Sequence, residues 1–192
     1  MTTLTEGLAR KQRGQDVQRY ATVRPIRFCE GVAYVQLTRG YEAKIDVQDV
    51  ALVADKNWCA SQQGNRNYAY TSKRVVCSDG IVRYRKLALH RFLMTPEYHL
   101  HIDHVNGNGL DCRRYNMRLA TPSQNACNQR ISSRNTSGFK GVLFHKPKKR
   151  WVAYIAFKCK SYHLGYFDTA TDAHEAYVKA SSMLHREFGR IY

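Results

Sequence analysis

The sequence predicts an α+β fold: a mixed β region over the first two-thirds, then a small three-stranded antiparallel sheet packed on one helix. Three observations predict it. Short runs rich in Val, Ile, Tyr and Phe recur from Ile26 onward, as half-buried strands require. A strand–loop–strand–helix order is legible between His99 and Asn128. One long helix with an apolar face follows three strand-like runs near the C-terminus. At 192 residues the chain holds one ordinary domain or two small ones.

In order along the chain, residues 1–24 are polar and basic with little periodicity and read as an arm. Strand-like runs follow at Val32–Leu37, at Tyr68–Tyr70, and at Ile81–His90 after the turn Ser78-Asp79-Gly80. Their pairing is not given by the pattern. His99–His104 alternates and suits a strand, and Asn106-Gly107-Asn108-Gly109 supplies residues that tolerate positive φ. Tyr115–Leu119 can return as a second strand. Thr121, Pro122 and Gln124 then spell a helix start, with an N-cap, a proline at the first helical position and a capping-box glutamine. After a polar connector come strand-like runs at Phe139–His145, Arg150–Phe157 and Ser161–Phe167. The last helix runs from Ala170 to Glu187, capped by Thr169 with Asp172 and ended by Gly189. Its Ala173, Ala176, Tyr177, Ala180, Met183 and Leu184 share one face, small enough to lie close on a sheet. The division is therefore an arm (1–24), a first domain (25–131) and a second (132–192).

Charge narrows the partner. Lys and Arg number 31 against 15 acids, a net +16 with pI near 9.8, and 13 Tyr are scattered among them. The excess falls in both domains, so both are drawn to a polyanion. A membrane partner is less expected than a nucleic acid: no run of ~18 apolar residues exists, and Met1–Arg13 has no apolar core of a secretory signal. The expected compartment is the cytosol, with the protein on the nucleoid. The six cysteines include no C-x-x-C pair, so reduced thiols are expected rather than a structural zinc.

Chemistry points to Asp103, His104, Asn116 and Asn125. Phosphodiester cleavage needs a base for water and a cation for the scissile phosphate. Mg²⁺ keeps several waters, so one carboxylate and one amide oxygen suffice as protein ligands. Asp103 ends the first strand and Asn125 lies in the first turn of the helix that packs across it. His104 points to the other side of the strand and suits a general base. Asn116 on the returning strand could hold its second nitrogen.

Asp103-His104-Val105-Asn106-Gly107-Asn108, then Asn116-Met117-Arg118-Leu119, then Asn125 and Asn128, resembles the HNH (ββα-metal) endonuclease family. The likeness is to its phage and intron homing branch, covers residues 30–131, and extends to the upstream Leu89-His90-Arg91-Phe92-Leu93. The resemblance implies His104 as general base, Asp103 and Asn125 as metal ligands and Asn116 as the residue orienting His104. It gives His90 and Asn128 at most a supporting role. Cys112 stands where the family often has Asn, and Asn125 where other branches have His. The second departure favours Mg²⁺ or Mn²⁺ over softer metals. The implied setting is the cytoplasm of a bacterial or phage-infected cell.

In the second domain, Ser137–Val142, Arg150–Ile155 and His163–Ala170 resemble the plant ethylene-response-factor (Apetala) DNA-binding domain. The resemblance implies a sheet laid in the DNA major groove, its face including Lys140, His145, Arg150, Tyr154, Ser161 and His163. Lys148 and Lys149 with Arg150 form a basic turn suited to phosphates. Leu143, Ala156 and Ser161 stand where the plant domains use arginine, so site preference of the plant type does not carry over. Trp151 is expected in the core. The leading expectation is a DNA endonuclease acting on double-stranded DNA. It would nick as a monomer or cut both strands as a homodimer on DNA. Its alternative is a non-cutting, sequence-specific DNA-binding regulator on the same scaffold. An RNA-directed protein is a third reading, disfavoured by the deep, narrow major groove of RNA.

Overall fold

The computed structural model describes residues 23–158 and 160–191, so most of the basic arm, Cys159 and Tyr192 lie outside the described residues. The chain begins with a meander of β1 (Ile26–Cys29), β2 (Val32–Gln36) and β3 (Glu42–Asp46). The period-2 pattern turns Ala33 and Val35 of β2, and Ala43 and Ile45 of β3, onto one buried face. A single turn, α1 (Val50–Val53), closes over that face with Trp58, whose indole N–H donates to the Val53 carbonyl at 3.2 Å.

A second meander follows: β4 (Cys59–Gln63), β5 (Arg66–Val76) and β6 (Val82–Ala88). The run expected as strand to His90 stops at Ala88, and His90 lies instead in α2 (Leu89–Met94). Leu89 and Leu93, four apart, reach the core only from a helix, and that burial outweighs the local alternation.

The strand–loop–strand–helix unit is β7 (His101–His104), β8 (Met117–Ala120) and α3 (Pro122–Cys127). Tyr115, expected on the returning strand, lies in a 3₁₀ turn, and β8 starts at Met117. The α3 start is as the sequence spells it. Thr121 accepts from the Gln124 amide, the Gln124 side chain accepts from Thr121, and Pro122 stands at the first helical position.

The last sheet runs in the order β11 (Lys160–Phe167), β10 (Arg150–Phe157), β9 (Val142–His145), backed by α4 (Ala170–Leu184). Thr169 caps α4, but the helix ends at Leu184 and a 3₁₀ turn follows at Arg186–Phe188. Ala173, Tyr177 and Ser181 are its buried stripe, whereas Met183, expected on that face, is 76% exposed. The stripe follows the i, i+4, i+8 row, and residue 183 falls outside it.

All four sheets are antiparallel and small, so the fold is α+β with two apolar cores. One joins residues from Ile26 to Met117, and the other gathers Val142, Trp151, Ala153, Phe167 and Ala173. The two are clamped together by polar contacts. Lys140 donates its ammonium to the Cys127 and Gln129 carbonyls at 2.6 and 2.8 Å, at the C-terminal end of α3. Arg118 of β8 donates to the Glu187 carbonyl at 2.6 Å and lies 4.1 Å from the Phe188 ring centroid. Arg190 reaches the Cys127 and Asn106 carbonyls. Among the described residues the cysteines are free thiols, and no helix is long and apolar enough to cross a membrane.

Candidate active site

Strand alternation separates Asp103 from His104. In the β7–β8 pair Asp103 sits opposite Arg118 and His104 opposite Met117, so the two neighbours point to opposite faces. Asp103 is 1% exposed and fully engaged. Arg118 donates to one carboxylate oxygen from Nε at 2.8 Å and from its terminal nitrogen at 2.7 Å. Asn128 donates to the other oxygen at 2.7 Å and also to the His104 carbonyl.

His104 is 5% exposed, and its Nε2 is buried without a hydrogen-bond partner. Its ring meets His90 edge-on at 5.3 Å, and Tyr68 lies 5.9 Å from His104 and 5.5 Å from His90. Nδ1 of His90 is also buried and unpartnered. Burial pushes His104 down to about 4, with Asp103 opposing, and pushes His90 down to about 3, with His104 adding to the effect. Both rings are therefore neutral acceptors-in-waiting at neutral pH. Buried polar nitrogens are nearly always satisfied, so two together mark a place where something polar belongs.

A cleft of about 410 Å³ opens beside this cluster, lined by Tyr68, Tyr70, Lys86, His90, His101 and Asn125 among others. Arg91 also lines it, and its guanidinium donates to the Leu100 carbonyl. His104 is absent from the lining; Tyr68 and His90 stand between it and the cleft.

Several expected roles change. Asn125 does not meet Asp103: its amide lies 3.4 Å from Nδ1 of His101 at the start of β7. The helix crosses the strand so that Asn128, one turn later, reaches the aspartate. Asn116 does not reach the His104 ring either. Its amide accepts from the Asn106 backbone N–H at 3.0 Å and donates to the Asn106 side chain and the Asp111 carbonyl. It fixes the turn that follows His104, and so acts on the backbone rather than the imidazole. The same turn is tied down by Arg113, which grips Asp111 with two 2.7 Å bonds, and by pairing of Lys44 with Leu110 and Cys112. Cys112 is wholly buried, and burial pushes its thiol up to about 12. It is inert packing.

The Mg²⁺ or Mn²⁺ ion implied by the family likeness needs Asp103 and Asn125 at one point. As arranged the donor set does not fit it: a guanidinium already neutralises the carboxylate, and the amide faces a different side chain. Among the described residues no three His, Cys, Asp or Glu side chains are grouped to hold a metal.

The C-terminal sheet presents a second set. On β10, Trp151 and Ala153 turn toward α4, which leaves Arg150 and Tyr154 on the other face, where Val152 between them is wholly buried. A bulge between Ala153 and Tyr154 inserts an extra β11 residue at Leu164, where Gly165 takes φ +136°. That extra residue brings His163 and Tyr166, three apart, onto the same side. His145, Tyr166, His163 and Tyr154 then form a continuous row with ring separations of 5.3, 4.8 and 5.2 Å. Lys148 stands 3.9 Å over the Tyr166 ring, and exposed Ser161 pairs with Ala156 on the same sheet. His145 also closes the basic turn, accepting from the Lys148 N–H at 3.2 Å, while Lys149 takes φ +49° there. Lys140, expected on this face, is the clamp to α3 described above and is turned away. Tyr68, Tyr70 and Lys86 at the cleft, and Tyr166 on the sheet, were not singled out from the sequence. Alternation in Tyr68-Ala69-Tyr70 was the only local signal, and the bulge that aims Tyr166 has none beyond Gly165.

No protein-family model and no solved structure matches the chain. Over 63 residues, 33% of its length, the chain is 35% identical to Protein 3.8 of Escherichia phage T7. The chain spans about half (52%) of that relative's length.

Proposed function

We propose that this protein is a DNA endonuclease of the HNH type, with His104 as its general base and the C-terminal sheet as a docking face. The observation that carries this reading is His104 itself: a buried, neutral imidazole with an unpartnered Nε2, one ring away from a polar cleft. In the proposed step Nε2 takes the proton of a water as its oxygen attacks phosphorus and the bond to the leaving sugar oxygen breaks. Lys86 and Arg91 border the cleft and offset the charge that builds on the phosphoryl oxygens. The Tyr68–His90 wall must open for water and phosphate to reach Nε2. The net +16 charge and the row of rings with Lys148 and Arg150 support a nucleic-acid partner.

The test is plasmid relaxation by wild type and His104→Ala, with and without Mg²⁺ or Mn²⁺. Loss of a general base slows chemistry by ~10²–10⁴-fold and leaves binding nearly intact. Open-circular product that vanishes in the variant supports a nicking enzyme, and linear product supports paired sites in a homodimer.

A second reading has its own support. Asp103 spent on Arg118 and Asn128 is what a scaffold needs rather than what a cation site needs. Tight binding of duplex DNA with no cutting under any metal would favour the non-cutting regulator.

A further inference from the structure

Between Ser72 and Lys86 the β5–β6 hairpin leaves the body of the protein. Its root is buried at Ala69 and Ala88, yet beyond them nearly every residue on both faces is exposed. An isolated two-stranded ribbon has no core of its own and gains little by standing in water. Its side chains make this odder. Lys73 pairs directly with Arg85, Ser72 with Lys86, Arg74 with Tyr84 and Val75 with Arg83. Like charges opposite each other on a ladder are destabilising. The ribbon has one acid, Asp79, and it is taken by Arg83 at 2.7 Å in the turn. Among the described residues Lys73, Arg74, Arg85 and Lys86 meet no carboxylate. The tip adds large exposed apolar groups, Val76 at 59% and Ile81 at 55%, and Tyr84, opposite Arg74 midway along the ribbon, is 71% exposed. Uncompensated cations around apolar side chains suit a partner that is anionic at its rim and apolar within.

We propose that this ribbon is a second DNA-docking element, which enters the major groove with Lys73, Arg74, Arg85 and Lys86 against the phosphates. The inference rests on the reading of the protein as one that acts on DNA. The dimensions agree: two strands lie ~4.8 Å apart, and a groove ~12 Å wide and ~8.5 Å deep admits a two-stranded ribbon. Val76 and Ile81 at the tip, and Tyr84 midway along the ribbon, are placed for apolar contact with base edges such as thymine methyls. Continuity fixes the position. Lys86, at the root of the ribbon, also lines the cleft beside His90 and Asn125. Duplex held by the ribbon therefore passes the cleft, and the charge pattern that weakens the free hairpin is neutralised on binding.

The experiment is fluorescence anisotropy of a labelled 30-base-pair DNA duplex with the full chain, titrated from ~50 to ~200 mM salt without divalent metal. The variants are Lys73→Ala/Arg85→Ala and the charge-retaining Lys73→Arg/Arg85→Lys. For the alanine pair the slope of log K against log salt should shrink by about 2, one unit per lost phosphate contact. The charge-retaining pair should restore it. Because a repulsive pair is removed, the alanine variant should melt no lower than wild type. An unchanged slope overturns the proposal. So does equal competition by an RNA duplex of the same sequence, whose narrow major groove cannot take the ribbon. Cutting is not needed for either readout. A protein that shows the slope change but never cuts refutes the nuclease reading alone, and a nuclease with an unchanged slope refutes the ribbon alone.

Discussion

Arg118→Met leaves Asp103 buried with its charge and without its cation. The carboxylate is 1% exposed and the Arg118 side chain 19%, so water replaces little of the lost interaction. Asn128 remains as a single neutral donor. Removing one partner of a buried ion pair costs about 3–5 kcal/mol. The variant also loses the bond to the Glu187 carbonyl and the contact with Phe188, which join the two cores. For a chain of this size the melting temperature should fall by about 10 °C. Urea denaturation followed by circular dichroism measures the loss, and Asp103→Asn with the double variant closes a double-mutant cycle. A coupling of at least ~2 kcal/mol is expected for groups in direct contact. Loss of less than ~1 kcal/mol in Arg118→Met, or coupling near zero, would refute the assignment of Asp103 to a structural ion pair. It would also reopen the aspartate as a ligand.

Three more outcomes are expected. His104 and His90 are pushed down to about 4 and about 3 in the fold, so the unfolded chain binds their protons first as pH falls through its ordinary value near 6.5. Stability should then be flat above that value and decline between about 6.5 and 3, by on the order of 3 kcal/mol for His104 alone. Urea midpoints against pH check this, and a His104→Gln/His90→Phe variant that keeps the full decline would sink it. Gly141→Ala meets two obstacles, a φ of +72° and a Cβ 2.5 Å from the Tyr154 carbonyl oxygen beside the Tyr177 ring. It should cost about 2 kcal/mol or more, and calorimetry that finds it neutral counts against the packing of α4 on β9. Lys140→Met removes two charge-assisted bonds to the end of α3, about 2–3 kcal/mol. Hydrogen exchange near residues 127–131 should quicken while His145-side sheet amides stay protected; uniform quickening would contradict a local clamp.

What was legible in the sequence was local. The α3 start could be read from Thr121, Pro122 and Gln124 because a capping box closes within four residues. The β10 limits and the α4 start were legible for the same reason, since alternation and an N-cap act between near neighbours. So was the alternation that sends Asp103 and His104 to opposite faces. The roles of these two side chains were not legible, because their partners come from elsewhere in the chain. Asp103 is claimed by Arg118 and Asn128 rather than Asn125, an outcome set by how α3 crosses β7. Lys140 looked like a groove contact and is a clamp, since carbonyls at the end of α3 lie within its reach.

The sequence by itself determined that the chain is basic, α+β, and built from short strands with one capped unit at its centre and a helix-backed sheet at its end. Each of those properties follows from composition or from interactions a few residues long. Only the tertiary structure decided that Tyr68, His90 and His104 share one buried cluster, that a bulge aligns His163 with Tyr166, and that the β5–β6 ribbon stands clear with Lys73, Arg74, Arg85 and Lys86 meeting no carboxylate among the described residues. These depend on strand register and on which surfaces exclude water, and no window of sequence contains both sides of such a contact.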